Sequence, residues 1–245
     1  LAIISRLFPF LSITDDNVPS GYIVYKAGDT ESFQYIDFIE RIPKKTLDSK
    51  HNIMLDGYFI NPRYLPNDYA SIIKIIPTTD SKVLQHRYYF FRDMYFIHIR
   101  LGDYVGNELY KIPLEKYYNE CIVKIKETNP SAKFVICTNE YSKNLNKYLD
   151  VIKQATEYQV QIPEEDEMDT LYIMSKCRGG ICSNSTLSWF GCYFQCLRAL
   201  PDAKKHIYMP YPWVNKTWHG FNDDNTRDIY PEWTTVFDTT TSTFR

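Results

Sequence analysis

The chain has no apolar run approaching the roughly 20 residues that a bilayer-spanning helix needs, so no membrane span is expected within its 245 residues. It also lacks an excess of either charge. With 28 basic and 30 acidic residues and a net charge of -2, no basic stripe stands out, which argues against a nucleic-acid partner. There is no Walker loop, no Gly-x-Gly-x-x-Gly and no Gly-x-Ser-x-Gly, so three common catalytic signatures are absent. Glycine is scarce, at 9 residues. The six cysteines have no accompanying histidine cluster, and most lie in apolar contexts such as Phe134-Val135-Ile136-Cys137, which points to buried free thiols. Cys192 and Cys196 share a face of an expected helix, a weak metal signal by itself. No repeat or low-complexity linker occurs. Leu1 to Ile13 is apolar but broken by Arg6 and Pro9, and it lacks a basic leader and a small-residue cleavage site. It reads as a core element entered partway rather than as a signal peptide.

Aromatic residues are plentiful, at 16% with 21 Tyr and 14 Phe. They suit sugar stacking, but core packing is the simpler reading. After Met94 the pattern alternates. Strands are expected at Met94–His98, Lys133–Cys137, Tyr158–Ile162, Gly180–Ser183 and His206–Met209. Helices are expected at Pro113–Thr128, Tyr141–Leu149, Glu164–Lys176 and Ser185–Leu200. Pro113 suits a first helical turn, and Asn129-Pro130 stops the helix that follows it. Such alternation predicts an α/β fold, a parallel sheet with helices on both faces. The earlier part is less regular. Tyr22–Tyr25 and Asn52–Leu55 read as strands and Tyr64–Ile75 as a helix, with a domain boundary near residue 90. The threonine-rich stretch Asp238–Thr243 reads as frayed.

Two strand ends carry polar chemistry. The first is His98-Ile99-Arg100-Leu101-Gly102-Asp103-Tyr104. Residues two apart on a strand share a face, so His98 and Arg100 should point the same way. Gly102 allows a turn and leaves space for a ligand. Arg100 is either a phosphate grip, its planar fork matching two oxygens, or one half of an ion pair with Asp103. The second is Ser183-Asn184-Ser185-Thr186-Leu187-Ser188-Trp189, a strand that turns into a helix with a hydroxyl-rich first turn. Asn184 or Ser185 is an ordinary cap, yet capping alone does not call for so many hydroxyls, and a helix start is an anion site. Asn184-Ser185-Thr186 fits a glycosylation sequon, but an elbow is a poor place for a glycan, and Asn215-Lys216-Thr217 is the more accessible one. On the preceding helix, Asp166 reads as a dipole-matched start, whereas Asp169 lies one turn deeper and within reach of a site. Two phosphate-friendly strand ends suggest a nucleotide or nucleotide-sugar enzyme.

Together these residues resemble the α-1,2-fucosyltransferase family, which shares features with α-1,6- and protein O-fucosyltransferases. The family pattern His-x-Arg-Arg-Gly-Asp-Tyr is met from His98 to Tyr104 with Leu101 in place of the second arginine. A second pattern is met by Asp169, Met174-Ser175-Lys176-Cys177 and Ser183 to Gly191, with Phe190 in place of a tryptophan. Leu55 to Phe59 and Asp228-Ile229-Tyr230-Pro231-Glu232-Trp233 are similar to two further segments. The family's Gly-Gly-x-Gly-Asn-Gln opening has no counterpart here.

The resemblance implies a two-lobed, GT-B-like fold, residues 1–90 forming the first lobe and 91–245 a Rossmann-like nucleotide-sugar-binding lobe. It implies GDP-fucose as donor, a galactose-terminated glycan as acceptor, inversion at the anomeric carbon, and no metal or other cofactor. It makes Arg100, Asp103 and His98 the catalytic candidates, Asp103 as general base. It places His98, Arg100, Gly102, Asp169, Asn184, Ser185, Thr186 and Ser188 around the donor. The absence of any Asp-x-Asp pair, which many sugar transferases use to hold a divalent ion, agrees with Arg100 and the helix start neutralising the leaving group. Animal members are Golgi membrane proteins; without an anchor, a cytoplasmic enzyme of a microbe or virus is expected. The alternatives are a transferase for another GDP-sugar and a catalytically silent nucleotide- or glycan-binding module.

Overall fold

A strand with apolar side chains on both faces must be covered on both, and Met94–Ile99 (β3) is buried at all six positions. The computed structural model describes residues 22–26, 52–56, 61–64, 90–161, 167–197, 206–215 and 226–245. Tyr22–Lys26 (β1) and Asn52–Asp56 (β2) pair in parallel, each one residue longer than the sequence predicts. Most of the helix expected over 64–75 falls outside the described residues, as do Asp166 and residues 57–59 and 216–217; Pro62–Tyr64 is a single 3-10 turn.

Among the described residues the main sheet has seven strands. Lys133–Thr138 (β4), Tyr158–Gln161 (β5), Gly179–Ile181 (β6), Ile207–Tyr211 (β7), Thr235–Asp238 (β8) and Thr243–Phe244 (β9) join β3 in the order β5-β4-β3-β6-β7-β8-β9. All neighbours are parallel except β8 and β9. The α/β expectation holds. The first six strands follow the doubly wound order, which reverses between β3 and β6.

Four helices connect them: Glu115–Thr128 (α1), Lys143–Ala155 (α2), Glu167–Lys176 (α3) and Thr186–Leu197 (α4). Helix α1 begins two residues after Pro113, not at it, with Leu114 in the capping position and no side-chain cap. Helix α2 starts two residues later than expected because Ser142 caps it, its hydroxyl accepting from the Asn144 amide at 3.3 Å, and it runs on to Ala155 because Ile152 extends the buried face begun by Leu145 and Tyr148. Helices α1 and α2 cover the side of β3 that presents Tyr95, Ile97 and Ile99. Helices α3 and α4 cover the side that presents Met94 and Phe96. All six cysteines are free thiols, five of them buried, and the Cys182 and Cys192 sulfurs sit 3.3 Å apart. Among the described residues no helix is long and apolar enough to cross a membrane.

The threonine-rich stretch is not frayed. The buried Asp238 carboxylate accepts from the Thr240 amide at 2.9 Å and from its hydroxyl at 2.5 Å, and it pairs with Arg245. These bonds close the β8–β9 hairpin and, outweighing the cost of burial, hold the carboxyl down at about 2.

Two glycines let β6 lie against β3. Tyr95 pairs with Gly179 and Phe96 with Gly180. A Cβ on Gly180 would sit 2.2 Å from the Phe96 ring, and one on Gly179 would sit 2.8 Å from the His206 carbonyl. Each aromatic side chain thus fills the space its neighbour leaves. Gly180→Ala is expected to lower unfolding free energy by about 1–3 kcal/mol through overpacking, read from the midpoint of urea denaturation.

Candidate active site at the reversal of strand order

Chain order reverses where β3 and β6 lie side by side, so the loops leaving them diverge to opposite faces and open a crevice. The two polar motifs sit at those strand ends. Helix α1 braces this edge with two buried tyrosines. The Tyr117 hydroxyl lies 2.8 Å from both the Cys182 and Tyr208 carbonyls, and the Tyr118 hydroxyl donates to the His98 carbonyl at 2.8 Å. The Tyr208 carbonyl also accepts from the Cys182 amide at 3.0 Å, so the Tyr117 hydroxyl sits against two backbone carbonyls that join β6 to β7.

Past β3, Arg100 turns to Asp103, with Nη2 at 2.7 Å and Nε at 3.1 Å from the same carboxylate oxygen. The ion pair raised by the sequence therefore forms. Its arginine side chain is 21% exposed and its aspartate 63%, so the pair lies at the surface of the crevice. Gly102 has φ +64°, and a Cβ there would come 2.8 Å from Asn139 Nδ2. The space beside this glycine is occupied by protein, not left for a ligand. Asn139 follows β4 and clamps the loop: its Oδ1 accepts from the Leu101 amide at 2.8 Å and its Nδ2 donates to the Leu101 carbonyl at 3.3 Å. The Leu101 side chain is buried in the α1–α2 core, which explains why an apolar residue serves there in place of a second arginine.

His98 is buried, and its Nδ1 shares a 2.8 Å hydrogen bond with the Ser183 hydroxyl, tying β3 to β6. Burial, then the nearby Arg100 charge, holds the imidazole down at about 3. It is neutral at any working pH and does not act as a cationic contact.

Past β6, the elbow is bonded chiefly to itself and its neighbours. Asn184 is buried, and its Nδ2 donates to the Tyr110 carbonyl at 3.2 Å and the Trp213 carbonyl at 3.0 Å. Ser188 is fully buried, with its hydroxyl 3.0 Å from the Ser185 carbonyl and 3.4 Å from that of Ser183. Ser185 precedes the first turn of α4, its carbonyl accepting from the Trp189 amide. The Ser188 hydroxyl thus shapes the elbow from inside, while the Asn184 amide ties the elbow to two neighbouring loops. Thr186 is half-buried on the first turn of α4. It lines an apolar hollow of about 310 Å³ with Met168, Leu171, Leu187, Phe190 and Phe194, between α3 and α4. Asp169 is half-buried in the first turn of α3.

Tyr104 joins the two motifs. Its hydroxyl donates to the Asn184 carbonyl at 3.3 Å and contacts the Ser185 hydroxyl. Its ring stacks on Tyr110 at 4.0 Å and 8°, and the Arg100 guanidinium lies 5.6 Å from its centroid. Burial, followed by Tyr110, raises its pKa, so the hydroxyl keeps its proton. Arg100, Tyr104 and Asn184 line one hollow of about 350 Å³. The spacing of motif residues did not reveal Asn139 or Tyr110; Asn139 had a readable signal, since it directly follows a strand end at the same edge. Among the described residues, no group of three His, Cys, Asp or Glu could hold a metal.

The remaining family-like segment supports α4. Trp189 Nε1 donates to the Ile229 carbonyl at 2.8 Å, the Tyr230 hydroxyl donates to the Pro210 carbonyl at 3.0 Å, and Trp189 and Trp233 lie 5.9 Å apart. The buried neutral histidine gives a pH prediction. An unfolded histidine takes up a proton near 6.5 and the folded one only near 3. Stability should therefore fall as pH drops from 6.5 towards 3. His98→Gln should flatten that part of the profile, as measured by denaturation at a series of pH values.

No protein-family model matches the chain. Over 122 residues the chain is 28% identical to the O-antigen biosynthesis glycosyltransferase WbnK of Escherichia coli. The matched region covers 48% of this chain and 38% of that protein, so it spans well under half of the relative's length. This likeness supports distant kinship with a glycosyltransferase.

Proposed function

We propose that the chain is the nucleotide-sugar-binding part of an inverting glycosyltransferase that moves L-fucose from GDP-fucose to a sugar hydroxyl, forming an α-1,2 linkage without a metal ion. The observation that carries this reading is the meeting of Arg100 and the Ser183–Thr186 elbow at the reversal of strand order, linked through Tyr104. Similarity to a glycosyltransferase narrows the class. Donor, linkage and a two-lobed GT-B-like arrangement come from the motif resemblance to α-1,2-fucosyltransferases.

In the free protein Arg100 is paired with Asp103. A donor diphosphate offers the guanidinium a more highly charged bidentate partner than one carboxylate. On this reading, donor binding turns Arg100 to the diphosphate and releases Asp103. The acceptor oxygen attacks the anomeric carbon, and the bond from that carbon to the diphosphate oxygen breaks. The electron pair leaves on GDP beside Arg100, and the acceptor proton passes to the Asp103 carboxylate. The first turn of α4 contributes backbone N–H groups and the positive end of its dipole. The apolar hollow between α3 and α4 suits the flat nucleobase, with Asp169 on the same helix turn as Met168.

Arg100→Ala should cut kcat by on the order of 10²–10³ and change stability by less than about 1 kcal/mol, because its ion pair is at the surface. Transfer from GDP-fucose to simple galactosides, with linkage analysis, reads the first; thermal unfolding reads the second. Near-wild-type transfer by the variant would refute the role given to Arg100. Stabilisation by GDP without turnover of several GDP-sugars would instead favour a binding module.

A further inference from the structure

The hollow that Arg100 and Asn184 border extends well beyond the two motifs. Its other walls come from the loop after β3 and the start of α2, and they include Tyr104, Tyr110, Lys111, Asn144, Lys147 and Tyr148. Its volume, about 350 Å³, is that of a small-ligand site. Three tyrosines wall it, with the Tyr104 and Tyr110 rings stacked on each other at 4.0 Å and the Lys147 ammonium 4.4 Å from the Tyr148 centroid. It lies on the α1–α2 side of the elbow, whereas the apolar hollow lies between α3 and α4.

The charges decide what such a hollow can hold. Each lining cation is matched: Arg100 by Asp103 at 2.7 Å, Lys111 by Glu108 at 3.0 Å and Lys147 by Glu115 at 2.9 Å. With no donor bound, matched pairs leave little net field to hold a sugar carboxylate. They still present N–H donors and carboxylate acceptors at the rim. Tyrosine walls for C–H surfaces, ringed by an amide and neutralised ion pairs, suit a ring that carries hydroxyls and no charge.

We infer that this hollow is the acceptor subsite and takes a neutral pyranose, its apolar face against the tyrosines and its hydroxyls turned to Asn144, Lys111 and Glu108. The inference rests on the glycosyltransferase reading for the word acceptor, but the binding of the sugar is testable without it. Because Arg100 borders the hollow and holds Asp103, a hydroxyl presented at that rim lies beside the group that would take its proton.

Saturation-transfer NMR on the full chain, with no donor present, tests this with methyl β-galactopyranoside and methyl β-glucopyranoside as neutral probes and galacturonate as the charged one. The neutral sugars should receive saturation and galacturonate should bind several-fold more weakly. Lys111→Ala and Asn144→Ala should each weaken neutral-sugar binding roughly tenfold, while stabilisation by GDP stays at the wild-type value in both. Absence of neutral-sugar binding at millimolar concentration, binding unchanged in both variants, or preference for galacturonate would overturn the inference. Failure of GDP to stabilise the wild-type chain, with sugar binding intact, would sink the nucleotide-sugar reading and leave the hollow as a sugar site.

Discussion

One buried amide organises this protein's polar edge. Asn184 donates to two carbonyls from segments far apart in sequence, Tyr110 and Trp213, and its own carbonyl accepts from Tyr104. A buried carboxamide is costly unless bonded, so the loops that satisfy it are fixed by that requirement. The Arg100 loop, the α4 elbow and the segment after β7 are therefore one assembly. Tyr104 links the first two, its hydroxyl on the Asn184 carbonyl and its ring beside the Arg100 guanidinium.

The same edge shows how the doubly wound sheet is finished. Two buried tyrosines of α1 reach backbone carbonyls of three segments, Tyr117 those of Cys182 and Tyr208 and Tyr118 that of His98. Against β3, the small residues of β6 accept the Tyr95 and Phe96 rings, so two adjacent strands are packed by one strand's side chains. This close approach brings His98 within hydrogen-bonding distance of Ser183. The rigidity of the crevice starts from the glycines beneath it.

Much of the described fold was legible because long periodic segments carry strong signals. The five strands from β3 to β7 and the four helices were expected, with ends displaced by a few residues where caps rather than periodicity set the limit, as at Ser142. The hairpin of β8 and β9 was not legible. Threonines look frayed in sequence, and only the buried Asp238 carboxylate turns their hydroxyls and amides into a closed turn. The site was legible as two strand ends. Its internal bonding was not: Asn184 and Ser188 have the residue types of a ligand cleft, yet their side chains face the elbow's own backbone and that of neighbouring loops.

The linear sequence determined which groups stand at the strand ends, because the apolar run Met94–Ile97 leads straight into the polar residues that follow it. It also determined that both faces of those strands are covered. Tertiary structure alone decided that the strand order reverses between β3 and β6, which makes their two loops neighbours. The Arg100–Asp103 and Lys111–Glu108 pairs are three residues apart and open to local reading, but tertiary structure alone set Lys147 against Glu115, because α1 and α2 pack together and no local pattern encodes that distance.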